Sequence, residues 1–265
     1  MFRDEAPYLK EWVEYHRMLG VEHFYLYNNE SADNYLEVLE PYVKANIVEI
    51  LDWPDVFDIA FMRQRAAFNH CLQRVKGKTS WLAIIDIDEF IVPVQTDDLK
   101  SFLSKYDSKK YVGAIQMNWQ LYGTSFLPSI PEGKLLIESL ILKAPWDYTT
   151  EDLPCNTRFK SIVRPQAIEE YKVHGGTFKN SYYAVPKGGG ERDQPIQIDE
   201  IRLNHYFTRA EDFFYGVKIG RRLQNRPDSY LAVMMQKLID LNQVEDTIMN
   251  RFVPALKERM KESSL

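Results

Sequence analysis

The chain has 265 residues, 45% of them hydrophobic and 13% aromatic, enough for one large domain with a substantial core. Its 33 basic and 38 acidic residues leave a net charge of -5, which argues against whole-surface attraction to nucleic acid. No apolar run reaches the ~18 residues of a bilayer span. Met1 to Lys10 lacks a signal-peptide core, and the two unrelated cysteines, Cys71 and Cys155, point to a reducing cytoplasm.

Pro7 to Leu19 carries apolar residues at helical spacing, with Pro near its start and Gly20 just beyond its end, and reads as a helix. His23 to Tyr27 reads as a strand running into Asn28-Asn29-Glu30-Ser31. A second helix spans Tyr35 to Val43, with Ser31 or Asp33 as its cap, and Ile47 to Leu51 is a short buried strand. Asp58 is placed to cap a third helix, Ile59 to Val75, which carries Gln64, Asn69 and His70. Trp81 to Ile85 is the most strand-like run and ends in Asp86-Ile87-Asp88-Glu89-Phe90. This alternation predicts an α/β fold with a parallel sheet and ligands bound beyond its carboxyl strand ends, where Asn28 and Asp86 sit.

Further strands are expected over Val112 to Trp119, Leu135 to Leu142, Arg158 to Val163 and Ile198 to Phe207. Gly188-Gly189-Gly190-Glu191-Arg192-Asp193 reads as a mobile loop. From Arg209 the pattern is helical, with an amphipathic tail from about Asp228 to Glu262. Its basic residues Arg209, Lys218, Arg221, Arg222 and Arg226 read as a solvated helix face, which allows at most peripheral contact with an anionic membrane.

Asp86 and Asp88 are one residue apart, a spacing that in an extended chain puts both carboxylates on one face. Two such groups need a cation or a proton between them. Oxygen ligands of this kind suit Mg²⁺ or Mn²⁺, and a metal held by one or two carboxylates keeps positions open for diphosphate oxygens. A solvated acidic loop is the plainer alternative.

Several blocks are similar to glycosyltransferase family 92, and they occur in that family's order. They include Glu5-Ala6-Pro7-Tyr8-Leu9-Lys10-Glu11-Trp12, Leu19 to Asn29, Asn69-His70-Cys71-Leu72, Trp81 to Pro93, Tyr122-Gly123-Thr124-Ser125, Lys160 to Pro165 and Leu203-Asn204-His205-Tyr206-Phe207. The resemblance implies a GT-A-type, mainly parallel sheet flanked by helices, with its usual first strand missing ahead of Arg3 and a helical C-terminal tail. It implies an inverting, metal-dependent transferase moving a hexose (galactose by analogy) from a UDP-sugar to a glycan or glycolipid acceptor. It implies Mn²⁺ or Mg²⁺ as cofactor, with the protein in the cytoplasm or at the inner face of the membrane. Residues 1–208 would form the catalytic domain, and 209–265 a helical extension packed on it.

Carried over by position, Asp86 and Asp88 match the metal-binding pair and His205 the late histidine that completes the site. Asn28, Asn29, Gln64, Asn69, Arg158 and Lys160 are donor-side candidates, with Gln64 or Asn69, but not both, facing the donor. Arg158 and Lys160 read equally well as charges on an edge strand, and Asn28-Asn29 as a turn. His174 is placed on the acceptor or metal side, or packed in the core. Glu151 and Asp152 are the candidate catalytic bases, with Asp147 and Asp193 as further possibilities. A shortened relative that binds nucleotide or glycan without transfer is the competing reading.

Overall fold

Pro7 and Gly20 delimit the first helix as predicted. α1 spans Ala6–Met18, and Gly20 follows it at φ +96°, a left-handed conformation glycine adopts without steric cost. The computed structural model describes residues 1–54, 60–150, 155–186, 195–223 and 229–262, so the expected cap Asp58 and the 188–193 loop lie outside the described residues. β1 (Phe24–Asn28) and β2 (Val48–Asp52) pair in parallel around α2 (Tyr35–Lys44), and α3 (Ala60–Val75) leads to β3 (Leu82–Ile84). Phe2 bridges Asn28 in parallel on the side of β1 away from β2, with Phe2 N donating to Tyr27 O and Asn29 N to Phe2 O, both at 2.8 Å.

After residues 85–88 the chain forms β4 (Glu89–Pro93), then α4 (Leu99–Ser104) and β5 (Val112–Leu121). Next come a short helix, α5 (Leu136–Ser139), and four strands: β6 (Leu142–Lys143), β7 (Phe159–Val163), β8 (Ile168–Tyr171) and β9 (Gly176–Phe178). β10 (Tyr183–Val185) and β11 (Ile201–His205) follow. The large sheet runs β3-β7-β5-β11-β4, with β10 also on β5. The α/β reading holds, and the sheet is mixed. β11 and β10 run parallel to β5, whereas β7 is antiparallel to β3 and β5, and β4 to β11.

β3 and β4 lie at opposite ends of this sheet, yet only residues 85–88 join them. Four strand spacings amount to about 19 Å, and that stretch of chain spans at most about 17 Å. The sheet therefore curls, and the Asp86–Asp88 stretch crosses its mouth.

Side chains of α1 close the outer edge of β4. Trp12 Nε1 donates to Glu89 O (2.8 Å), Tyr15 OH donates to Ile91 O (2.8 Å), and His16 Nε2 accepts from Ile91 N (3.3 Å). His16 Nδ1 lies 2.8 Å from Trp12 O and donates to it, so both ring nitrogens are used by a neutral imidazole. Burial pulls its pKa down to about 4, against a smaller opposing effect of the Trp12 carbonyl.

Because the unfolded chain takes up that proton near pH 6.5 and the folded one near 4, stability is full above 6.5 and falls as pH drops between the two. His16→Gln is expected to remove about 3 kcal/mol of that acid-side loss, read as a flatter urea-midpoint profile from pH 7 to pH 4. An unchanged slope would refute the assignment.

Two expectations are corrected by side chains that bind from a distance. Leu135 to Leu142 is not one strand, because the Glu11 carboxylate accepts the N–H groups of Leu136 (2.9 Å) and Ile137 (3.0 Å) and so starts α5. The N-cap position of α2 is Asn34, but Asp33 still reaches its first turn, Oδ1 accepting from Tyr35 N at 3.4 Å, whereas Ser31 does not. Asp33 Oδ2 also accepts from Ala6 N at the start of α1 (2.7 Å), and Ser31 Oγ accepts from Asp4 N (3.1 Å).

The C-terminal part comprises α6 (Glu211–Phe213), a π-helix (Phe214–Lys218), α7 (Ile219–Leu223), α8 (Ser229–Asp240), β12 (Val244–Glu245) and α9 (Val253–Glu262). Phe214, Met234, Leu238, Phe252 and Leu256 join the main core. The expected helical tail is present as separate helices: it breaks after α8, where β12 pairs with β6. At the break, Asn242 donates to Leu238 O (2.7 Å) and accepts from Ser125 N (2.7 Å). Only glycine fits at position 123, since a Cβ there would lie 2.4 Å from Asn242 Oδ1. No described helix is long and apolar enough to cross a membrane.

Candidate active site

Strand register delivers the site. Ile84 of β3 pairs with Ser161 of β7, which sets Lys160 beside the next residues of the chain. His205 of β11 pairs with Glu89, which sets it beside Asp88. The two aspartates then face different partners. Asp86 Oδ2 lies 2.9 Å from Lys160 Nζ, and its Oδ1 accepts from Gln64 Nε2 at 2.7 Å. Asp88 Oδ2 lies 3.4 Å from His205 Nε2 and 3.5 Å from Lys218 Nζ, while its carbonyl accepts from Tyr206 N.

Charge distributes unevenly over this cluster. Burial disfavours the Asp88 anion, but His205 and Lys218 beside it, with Arg209 further off, outweigh burial and hold its pKa below the usual range. His205 is lowered by burial, against the pull of Asp88. Burial also opposes ionisation of Asp86, but Lys160 overcomes it and leaves that pKa lowered. Lys160 is fully buried, and the carboxylates of Asp86 and Glu89 keep it charged against the cost of burial.

Glu89, also fully buried, behaves oppositely. Burial pushes it well above the carboxylate range, reinforced by Asp86 and Asp88 and opposed by Lys160. Its Oε2 accepts from Asp86 N at 2.8 Å, and its Oε1 meets no hydrogen-bond partner among the described residues.

Trp119 fills the space between two histidines, with ring centroids 5.1 Å from His174 and 4.4 Å from His205. His174 sits against Phe159 O and is lowered to about 3 by burial, with Lys160 and Arg158 adding to the effect. The Trp119 indole N–H is buried without a hydrogen-bond partner among the described residues.

Of the expected site residues, the fold gathers Gln64, Asp86, Asp88, Lys160 and His205. Lys160 is not on an edge strand, because β7 lies between β3 and β5. Asn69 is turned to the backbone of β8, donating to Tyr171 O (2.7 Å) and accepting from Tyr171 N (2.9 Å). Asn28 holds Tyr35 OH, Asp52 and Ser31 N, and the Asn29 amide donates to Trp53 O, so both build the turn after β1. Arg158 is half-buried just ahead of β7, and Asp147 is exposed. Glu151, Asp152 and Asp193 lie outside the described residues.

Four members of the cluster escaped sequence reasoning: Glu89, Trp119, Arg209 and Lys218. Arg209 and Lys218 are not on a solvated face. Arg209 is 1% exposed, with its guanidinium 2.6 Å from Glu5 and stacked 3.5 Å over Tyr8. The only signal for them was position, close behind Asn204-His205-Tyr206-Phe207.

Among the described residues no three metal-ligating side chains converge on one point. Asp88 and His205 do stand together, and the Lys218 ammonium beside them marks a place where positive charge is favoured. A carboxylate and a neutral imidazole suit a divalent metal that keeps waters and substrate phosphates as further ligands.

The fold and cluster define an α/β protein with an acidic, imidazole-bearing site at its strand ends. The model of glycosyltransferase family 92 matches residues 1–247, and the chain belongs to that family. A family 92 protein of Arabidopsis thaliana is 33% identical over 232 residues, covering 84% of this chain and 36% of its own length. One from Oryza sativa subsp. japonica is 32% identical, covering 83% and 34%. The chain therefore spans about a third of the curated relatives it matches. A galactan β-1,4-galactosyltransferase of Arabidopsis thaliana is 34% identical over 93 residues, covering 33% of this chain and 18% of its own. Among solved structures, S. aureus TarS 1-349 in complex with UDP aligns at 11% identity with a TM-score of 0.37, covering 62% of this chain and 45% of that one. A likeness that low bears on neither fold nor ligand.

Proposed function

We propose that the chain is the catalytic portion of an inverting glycosyltransferase that moves a hexose from a UDP-sugar to a glycan acceptor with the help of Mn²⁺ or Mg²⁺. The observation that carries this reading is Asp88 at the mouth of the curled sheet, with His205 Nε2 3.4 Å away on one side and Lys218 Nζ 3.5 Å away on the other. Family membership supplies the reaction class. The relatives named galactan β-1,4-galactosyltransferases favour galactose as the transferred sugar.

In this reading Asp88 and His205 hold the metal, which when bound supplies positive charge to the departing nucleoside diphosphate. Lys160 and Gln64 fix the orientation of Asp86 and keep it ionised. The rings of Trp119, His174 and Phe207 shield the inner side of the cluster from water, which strengthens its electrostatics. Inversion needs a carboxylate that takes the acceptor hydroxyl proton on the face opposite the diphosphate, and Glu151 and Asp152 remain the residues proposed for it.

The test is calorimetric titration of the chain with UDP, with and without Mn²⁺, followed by transfer assays with UDP-sugars. Metal-dependent binding and transfer are expected. Metal-dependent binding with no transfer from any UDP-sugar would favour a binding module, and absence of binding in folded protein would refute the donor site.

A further inference from the structure

The segment that follows β11 sends three basic groups to three carboxylates, one of them Asp88 of the site. Arg209 meets Glu5 (2.6 Å), Lys218 meets Asp88 (3.5 Å), and Arg221 meets Asp4 (3.4 Å). Lys218 closes the π-helix Phe214–Lys218, a wide turn that recurs at functional sites because it re-aims the side chains it carries. Its ammonium lies over the Phe207 ring, with Nζ 4.1 Å from the centroid, and the side chain keeps 16% exposure.

We propose that Lys218 is an exchangeable diphosphate-binding residue. It neutralises Asp88 while no metal is bound, and it passes to a diphosphate oxygen of the donor once a divalent cation takes its place. The proposal rests on the donor-site reading given above. A largely buried carboxylate needs a positive partner, and a dication beside Asp88 and His205 would displace an ammonium from the same oxygen by like-charge repulsion. Lys218, tethered over Phe207 at the rim, is then held within reach of whatever anion arrives with the metal. A nucleoside diphosphate is that anion, and an ammonium binds it as a point charge.

Arg209 cannot make this exchange. It is 1% exposed, paired with Glu5 and held between the rings of Tyr8 and Phe213, so it contributes a fixed positive background. Exchange at Lys218 makes metal and diphosphate binding mutually reinforcing, each raising the affinity for the other.

The proposal predicts effects of opposite sign in one variant. In Lys218→Gln, Mn²⁺ alone should bind several-fold more tightly than in the wild type, because its competitor at Asp88 is gone. UDP at saturating Mn²⁺ should bind about tenfold more weakly, because one charge-assisted contact is lost. Mn²⁺ binding is read from the electron paramagnetic resonance signal of the free ion, and UDP binding by calorimetry. Lys218→Met keeps an unbranched side chain of similar length without the charge, must show the same two signs, and serves if the glutamine variant melts early.

Tighter metal with weaker UDP is the expected result. Unchanged or weaker metal binding, or unchanged UDP affinity, overturns the proposal while wild-type UDP binding leaves the donor site standing. If the wild type binds no UDP at any Mn²⁺ concentration, both readings fall together.

Discussion

Asp88→Asn is expected to abolish metal-dependent binding of UDP and to slow sugar transfer by a factor on the order of 10³, with the protein still folded. Asparagine keeps the shape of the side chain, and the backbone link from Tyr206 N to the carbonyl at position 88 is untouched. What disappears is the negative charge on which His205 and Lys218 converge. The released ammonium is 16% exposed and can reach water, so the stability cost is set at about 1 kcal/mol. A thermal melt separates folding from function. Near-normal transfer by a folded Asp88→Asn protein would remove Asp88 from the metal site.

The second large effect belongs to Lys160. It is fully buried, and its ammonium is the positive partner of Asp86 and a neighbour of Glu89. Lys160→Met fills the same space but leaves Asp86 without its cation, and breaking one side of a buried ion pair costs about 3 kcal/mol or more. For a chain of this size that corresponds to a fall in Tm of roughly 8 °C. Lys160→Met/Asp86→Asn removes both charges and is expected to recover a large part of that loss, although either change alone destabilises. Additive losses in this double-mutant cycle would show that the two side chains are not coupled.

The early half of the fold was legible because each element carries its own punctuation. Pro7 and Gly20 bound α1, and β1, β2 and β3 are short apolar runs between helices of clear period. β4 was hidden because the chain from β3 through Ile85 and Ile87 to Phe90-Ile91-Val92 reads as one largely apolar run, interrupted by the acidic residues Asp86, Asp88 and Glu89. All five of its residues are buried, so no alternation marks it as a separate strand. Leu135 to Leu142 could not be assigned locally, because a run of leucines and isoleucines suits helix or strand, and Glu11, remote in sequence, decides the matter.

The site was legible to a similar depth. Asp86, Asp88, Lys160 and His205 all belong to recognisable blocks, but the sequence left Lys160 open between a donor-side group and a charge on an edge strand, and it proved to be in the sheet interior. Lys218 was invisible because helical spacing alone would have left it on a solvated face, and the π-turn carries it inward. Asn28, Asn29 and Asn69 show the converse. Their amides are held by neighbouring backbone and side chains: Asn28 and Asn29 make the loop at a strand end, and Asn69 fastens α3 to β8.

The clasp of α1 on β4 also bears on how the molecule behaves in a crowded solution. β4 is the last strand of the large sheet, and Phe90-Ile91-Val92 at its centre is an apolar, strand-prone sequence. An open edge of that kind templates pairing with any other chain that carries one. Trp12, Tyr15 and His16 occupy two of its carbonyls and one of its N–H groups, so a foreign strand finds no free ladder there. The helix that fixes the acidic stretch in place therefore also keeps neighbouring copies from adhering, and a molecule whose α1 has peeled away is the species from which aggregation would start.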